Sequence, residues 1–310
     1  MSDRPVLLIG SSSDPHISVV GEKLRDLQVD VLVVDTLAFP ASPAITLGEQ
    51  LDSITIDGRD VGHPSAVYLR DIYAQPLAFG VDVADEMEQD WRRTLVAFRE
   101  KSQMLYPLLG RWAQLGVPFY NPLPSDGRLS KPLQLALLEG AGLPVPETIW
   151  TNDPGSVRRF AAGRRIAYKP VAGGAATKEL GPDDLTDERL RALSGAPVTF
   201  QELLAGDNIR IYCLDGKVIA TMRVTSEALD YRQNDEVIER VELPAEVLDQ
   251  CLRAAEVMGL RWTGMDLRSD ENGKYKFLEL NASPMFLGFD ANAGTDILGA
   301  LVAALAAHAT

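Results

Sequence analysis

Apolar and polar positions along the first third of the chain alternate between compact apolar runs and amphipathic stretches. Val6 to Gly10 is an apolar run, a Ser/Asp/Pro loop follows, Ile17 to Leu27 carries apolar residues at helical spacing, and Val31-Leu32-Val33-Val34-Asp35 is again apolar. Two such runs joined by an amphipathic helix predict a βαβ unit with parallel strands. Asp82 to Leu115 has helical periodicity and ends at Gly116-Val117-Pro118. A Pro-rich connector, Asn121 to Gly127, marks a domain boundary. Beyond it the pattern changes to short helices and antiparallel hairpins, with Asp215-Gly216 and Asn272-Gly273 as two-residue turn signals.

The segment Arg261 to Asn281 carries the strongest chemical signal. With Asn272-Gly273 as the central pair of a type I′ turn, opposite positions sum to 545 and Asp266 faces Glu279. Cross-strand Cβ atoms lie roughly 4.5–5.5 Å apart, and like charges so placed are destabilising unless a cation lies between them. Asn281 falls on the same face, opposite Gly264, which has no side chain to fill the space. Two carboxylates and an amide oxygen form an all-oxygen set suited to Mg²⁺, with Mn²⁺ as an alternative ion. Met265, Leu267, Leu278 and Leu280 form the apolar face. An ordinary amphipathic hairpin with an acidic outer face fits the same pattern.

In the hairpin Asn208 to Val224, the Asp215-Gly216 turn places Arg210 opposite Thr221, with Arg223 diagonal on the same side. Two guanidinium groups on one face suit a phosphate or carboxylate, although each could instead pair with a surface acid. Lys131 follows Ser130 and precedes Pro132, an N-cap and first-turn arrangement that predicts a helix to about Glu139 with the lysine at its anion-favouring end. Lys169 ends the strand Ile166-Ala167-Tyr168, and Gly173-Gly174 follow in a loop poor in side chains. Such a loop lets backbone N–H groups approach phosphate oxygens, and Gly-Gly also reads as a plain hairpin turn. The strand Val198 to Leu204 could wall a flat pocket for a base or serve as a core strand.

Composition narrows these options. The chain has 310 residues, 46% of them hydrophobic and 24% charged, which suits a globular protein with a substantial core. Against 30 Lys plus Arg stand 44 Asp plus Glu, a net charge of -14 that opposes nucleic-acid binding. Only 8 of the cations are Lys, so Lys131 and Lys169 are rare events at their positions. Two cysteines, Cys213 and Cys251, indicate a reducing compartment, and the expected location is the cytoplasm. Neither a signal peptide nor a membrane span is expected. The three His residues show no zinc spacing, and no Gly-rich dinucleotide fingerprint follows the first strand.

Taken in order, a helix-start Lys, a strand-end Lys with a Gly loop, Gln201-Glu202-Leu203-Leu204, Ile209-Arg210, Asp266 and Glu279-Leu280-Asn281 resemble the ATP-grasp superfamily. In detail they resemble its RimK-like branch of ribosomal-protein glutamate ligases and peptide-modifying ligases. The resemblance covers roughly Asn121 to Val302; the first α/β unit looks more loosely like a preATP-grasp domain. It implies an α/β and α+β chain divided into a preATP-grasp domain over 1–122, a central lobe over 123–204 and a carboxy-terminal lobe over 205–310.

The resemblance also implies ATP-dependent ligation of a carboxylate to an amine or hydroxyl through an acyl phosphate. The substrate would be a peptide, protein or amino acid. Lys131 and Lys169 would hold phosphates, Gly173 and Gly174 would cover the nucleotide, and Gln201, Glu202, Leu203 and Leu204 would form the adenine hinge. Asp266, Glu279 and Asn281 would bind Mg²⁺, and Arg210 and Arg223 would face the transferred phosphoryl group. RimK-like ligases usually place Asp before Ile-Arg, whereas this chain has Asn208 there and Asp207 one position earlier, so both are candidates for the ribose or second-sphere role. That departure keeps an ATP-binding regulatory protein as the alternative. Self-association is compatible with either reading, and the roles of Arg70 and Arg99 stay open.

Overall fold

A computed structural model describes residues 4–72, 83–121, 126–172, 176–225 and 237–309. Gly173-Gly174 and Pro122 to Ser125 of the connector lie outside the described residues. The chain forms two compact units, one from Met1–Leu123 with Met285–Leu287 and Asp296–Thr310, the other from Pro124–Pro284 with Gly288–Thr295. Among the described residues no helix is long and apolar enough to cross a membrane.

The first unit is built on a parallel sheet. β1 (Val6–Gly10) lies between β2 (Val31–Asp35) and β3 (Ala66–Leu69), with β4 (Phe119–Tyr120) beyond β3. Every residue of β1 is buried, as a central parallel strand covered on both faces requires. α1 (Pro15–Asp26) begins two residues before the apolar spacing does, because Asp14 caps the His16 N–H and Pro15 occupies the first turn. α2 (Val83–Gln114) bends at Asp90 and contributes Leu105, Leu108, Leu109 and Trp112 to the core over β1 and β3.

A buried polar network closes the end of β1. Asp14 accepts from the His16 backbone and Nδ1, both at 2.8 Å, and from Arg70 Nε at 2.8 Å. His16 Nε2 in turn accepts from the Phe286 N–H at 3.0 Å. Arg70, whose side chain is only 6% exposed, is thus an internal counter-ion rather than a surface contact, whereas Arg99 is exposed on α2.

Burial pushes the Asp14 carboxyl upward, but the His16 hydrogen bond and the Arg70 charge outweigh it and hold the group at about 2. An unfolded Asp titrates near 3.9. The folded-state value is depressed, so this carboxylate's contribution is complete above about pH 4 and is lost as the pH falls through about 2. Asp14→Asn is therefore expected to flatten the acid limb of stability measured by urea denaturation across that window; an unchanged limb would contradict the assignment.

The second unit contains two antiparallel sheets. One orders Lys178–Glu179, β6 (Ile166–Pro170), β7 (Val198–Glu202) and β5 (Thr148–Thr151). The other orders β10 (Val237–Arg240), β9 (Lys217–Thr225), β8 (Asn208–Leu214), β11 (Trp262–Ser269) and β12 (Tyr275–Asn281). α3 (Lys131–Gly140) and α4 (Ala245–Met258) pack on one face of this larger sheet, burying Ile209, Ile211, Cys213, Met265, Leu267, Phe277 and Leu280. Strand alternation leaves Asn208, Arg210, Tyr212, Gly264, Asp266, Glu279 and Asn281 on the other face.

Both hairpins depart from their expected registers. Asp215 and Gly216 have φ of 46° and 72°, as the type I′ turn requires, and Leu214 pairs with Lys217. A bulge between Tyr212 and Cys213 then shifts the pairing, so Arg210 faces Met222 instead of Thr221, and Arg223 faces Ile209. The register thus assigns Arg210 and Arg223 to opposite faces, which overturns their expected shared side. In the other hairpin Asp270 accepts from the N–H groups of Asn272 and Lys274, widening the turn so that Ser269 pairs with Tyr275. A bulge at Leu278 cancels that offset and restores Asp266 opposite Glu279 and Gly264 opposite Asn281. Phe277, fully buried, takes the core place expected of Leu278.

Candidate active site

Asp266 and Glu279 face one another on adjacent strands, and each carboxylate is held by a cation of the second unit. Arg210 Nη1 lies 2.7 Å from Asp266 Oδ1, and Lys131 Nζ lies 3.0 Å from Glu279 Oε2. Like charges facing each other across paired strands repel, and the flanking cations offset that repulsion. Asn281 Nδ2 donates to Asp266 Oδ2 at 3.3 Å. Side-chain exposures of 23% for Asp266 and 28% for Glu279 leave both carboxylates reachable from solvent. These donors fit Mg²⁺, which takes a few carboxylate oxygens and completes its shell with water and phosphate. Among the described residues no cluster of three His, Cys, Asp or Glu forms a rival metal site.

The space opposite Asn281 is not vacant. A Cβ on Gly264 would lie 2.5 Å from Arg210 Nη2, 2.8 Å from its Cζ and 2.7 Å from Pro284 Cβ. Glycine is therefore required for the guanidinium to lie across β11 and reach Asp266.

Lys131 is the first residue of α3, with Ser130 in extended geometry as its cap residue and Pro132 in the first turn. One turn on, Gln134 is almost fully buried and grips the edge strand β12: its Nε2 donates to Leu280 O at 2.9 Å and its Oε1 accepts from Leu280 N at 2.8 Å. The residue so held sits between Glu279 and Asn281. Sequence reasoning missed Gln134, although a lone amide inside the run Leu133 to Leu138 was the available signal.

On the smaller sheet, Lys169 Nζ donates to Gln201 Oε1 at 3.3 Å, and Gln201 Nε2 donates to Thr148 Oγ1 at 2.8 Å. The Glu202 carboxylate is gripped by Lys276 and accepts from the Glu147 N–H at 3.2 Å. Lys276, which the sequence did not single out, thereby ties β12 to β7. The Leu203 N–H donates to Arg165 O at 2.9 Å, and Leu204 is buried.

Asn208 shares the Arg210 face and pairs in register with Arg268. The Asp207 carboxylate instead meets Arg223 Nε at 3.1 Å, and Arg223 also contacts Glu239 at 3.3 Å. Arg223 is thus joined to acids away from Asp266. Cys213, pushed by burial up to about 12, and the equally buried Cys251 are held as neutral thiols and offer no nucleophile.

A family model described as a RimK-like ATP-grasp domain matches residues 198–305, the span that carries Arg210, Asp266, Glu279 and Asn281. A curated relative, the probable alpha-L-glutamate ligase of Picosynechococcus sp., is 28% identical over 184 residues, covering 55% of this chain and 60% of its own length. The chain thus spans less than two thirds of that relative. Among solved structures, the ATP-grasp ligase PsnB, complexed with a phosphomimetic variant of minimal precursor, Mg and ADP, is 48% identical with a TM-score of 0.93, covering 99% of both chains. D-alanine--D-alanine ligase from Bacillus anthracis, 16% identical with a TM-score of 0.61 and covering 99% of this chain and 96% of its own, shares the fold. Near-complete overlap with PsnB at that identity, joined to a RimK-like match across the strands of the paired carboxylates, means that the chain belongs to the RimK-like ATP-grasp ligases.

Proposed function

We propose that this chain is a cytoplasmic ATP- and Mg²⁺-dependent ligase that joins a carboxylate of a precursor peptide to an amine or hydroxyl. The observation that carries this reading is the convergence of Asp266, Glu279, Asn281 and Arg210 at one sheet face, with Lys131 reaching Glu279 from the start of α3. Bound Mg²⁺ supplies charge neutralisation for phosphoryl transfer. Asp266 and Glu279 would hold it, helped by Asn281, once Arg210 and Lys131 yield part of their grip. Lys131 and Lys169 would bind phosphates, and Gln201 to Leu204 would border the base, with Asn208 nearer the Arg210 face than Asp207. In this division residues 123–204 supply the base side and 205–310 the metal side.

Attack of a substrate carboxylate on the γ-phosphorus releases ADP and yields an acyl phosphate. The acceptor then displaces inorganic phosphate and forms the amide or ester. Arg210 would stabilise charge on the transferred group, so positioning and electrostatics supply the catalysis without a side-chain nucleophile. A peptide substrate is supported by the precursor bound to PsnB, 48% identical to this chain. The test is incubation with Mg-ATP and acidic peptides bearing Thr, Ser or Lys. ADP formation that depends on peptide, with loss of one water per bond by mass spectrometry, is expected. ADP formed equally without peptide would contradict the reading.

A further inference from the structure

Arg210 is enclosed by more than its carboxylate. Its side chain is 6% exposed, its Cζ lies 5.0 Å from the Tyr212 ring centroid and 5.5 Å from that of Phe289, and Gly264 leaves room for it below. The two rings meet edge to face at 5.8 Å, and Trp262 stacks behind Tyr212 at 5.8 Å. Phe289 sits on α5 (Leu287–Ala293), beyond the strand that carries Glu279 and Asn281.

A cation facing an aromatic ring is attracted by the ring's quadrupole, and more strongly when both are shielded from water. The ring also restricts a guanidinium plane that Asp266 holds through Nη1. Tyr212 adds a hydroxyl hydrogen bond to the same guanidinium, so its substitution removes two interactions at once. Phe289 offers only a ring, and its effect can be isolated.

We propose that Phe289 is a positioning residue for the ligase reaction: with Tyr212 it forms an aromatic clamp that aims Arg210 at the phosphoryl group being transferred. This rests on the site reading above. Phe289→Leu keeps an apolar side chain of similar bulk but removes the ring, whereas Phe289→Tyr keeps the ring. A residue needed only for packing would alter the binding of all nucleotides alike; a clamp on Arg210 alters only what the terminal phosphoryl group adds.

The test is calorimetric titration of the full-length wild type, Phe289→Leu, Phe289→Tyr and Arg210→Ala with Mg·ADP and with Mg·AMP-PNP. In the wild type, AMP-PNP is expected to bind more tightly than ADP. Arg210→Ala should abolish that difference, Phe289→Leu should shrink it by roughly tenfold, equivalent to about 1.4 kcal/mol, and Phe289→Tyr should restore it. ADP affinity should be unchanged in both Phe289 variants. If wild type and Phe289→Leu discriminate equally while Arg210→Ala does not, the clamp is overturned and the site reading stands. If Phe289→Leu weakens both nucleotides alike, or Phe289→Tyr fails to restore the difference, the clamp is also overturned. If the wild type itself does not discriminate, the site reading fails and the clamp with it.

Discussion

Asp266→Ala and Glu279→Ala are each expected to lower peptide-dependent ADP formation by at least about 10²–10³-fold, the scale of losing one preorganised charge contact in a transition state. The geometry argues for an effect on chemistry. The two carboxylates oppose one another by register, are partly open to solvent, and sit against Arg210 and Lys131. Removing Asp266 also takes the carboxylate partner from a buried guanidinium, which by itself costs several kcal/mol of stability. Glu279→Gln avoids much of that cost, since Lys131 sits at 23% exposure and can reach water. Steady-state rates recorded beside thermal melts separate the two effects. A folded Glu279→Gln variant with wild-type turnover would remove Glu279 from the metal site.

Gly264→Ala is expected to be nearly as damaging although it adds one methyl group. The backbone at Gly264 is not in the left-handed region, so the cost is steric. The new Cβ would sit 2.5 Å from Arg210 Nη2, and Pro284 blocks relief at 2.7 Å. Overpacking of this kind costs about 1–3 kcal/mol. Because the guanidinium is the part that must move, the Asp266 contact at 2.7 Å is lost as well. Misplacing a reacting or positioning group by about 1 Å can cost around 10² in rate, so kcat should fall by that order while the urea midpoint falls only modestly. Unchanged kcat in a destabilised variant would mean that Arg210 has no part in the reaction.

What the sequence disclosed about this site follows the range of the interactions. Local signals were reliable: the apolar runs of β1 and β2, the Ser130-Lys131-Pro132 start of α3 and the Asp215-Gly216 turn all appear in the structure. The pairing of Asp266 with Glu279 was also readable, but the turn and the Leu278 bulge both depart from the simple hairpin and their offsets cancel. The bulge at Tyr212 has no cancelling partner, and there the inferred Arg210 and Arg223 pairing failed. Long-range contacts lay beyond reach, because no spacing rule brings Arg210 beside Asp266, Lys131 beside Glu279 or Gln134 onto Leu280. The Asp14, His16 and Arg70 network was hidden for the same reason, since Arg70 follows a strand more than fifty residues downstream.

The most direct measurement is Mn²⁺ binding by electron paramagnetic resonance, with and without ADP, in the wild type and in the Asp266→Ala/Glu279→Ala double variant. An oxygen-rich site that shares its ion with a nucleotide requires tight Mn²⁺ binding in the wild type only when ADP is present, and its loss in the double variant. Equal nucleotide-dependent Mn²⁺ binding by both proteins would contradict the assignment of these two carboxylates as the metal site.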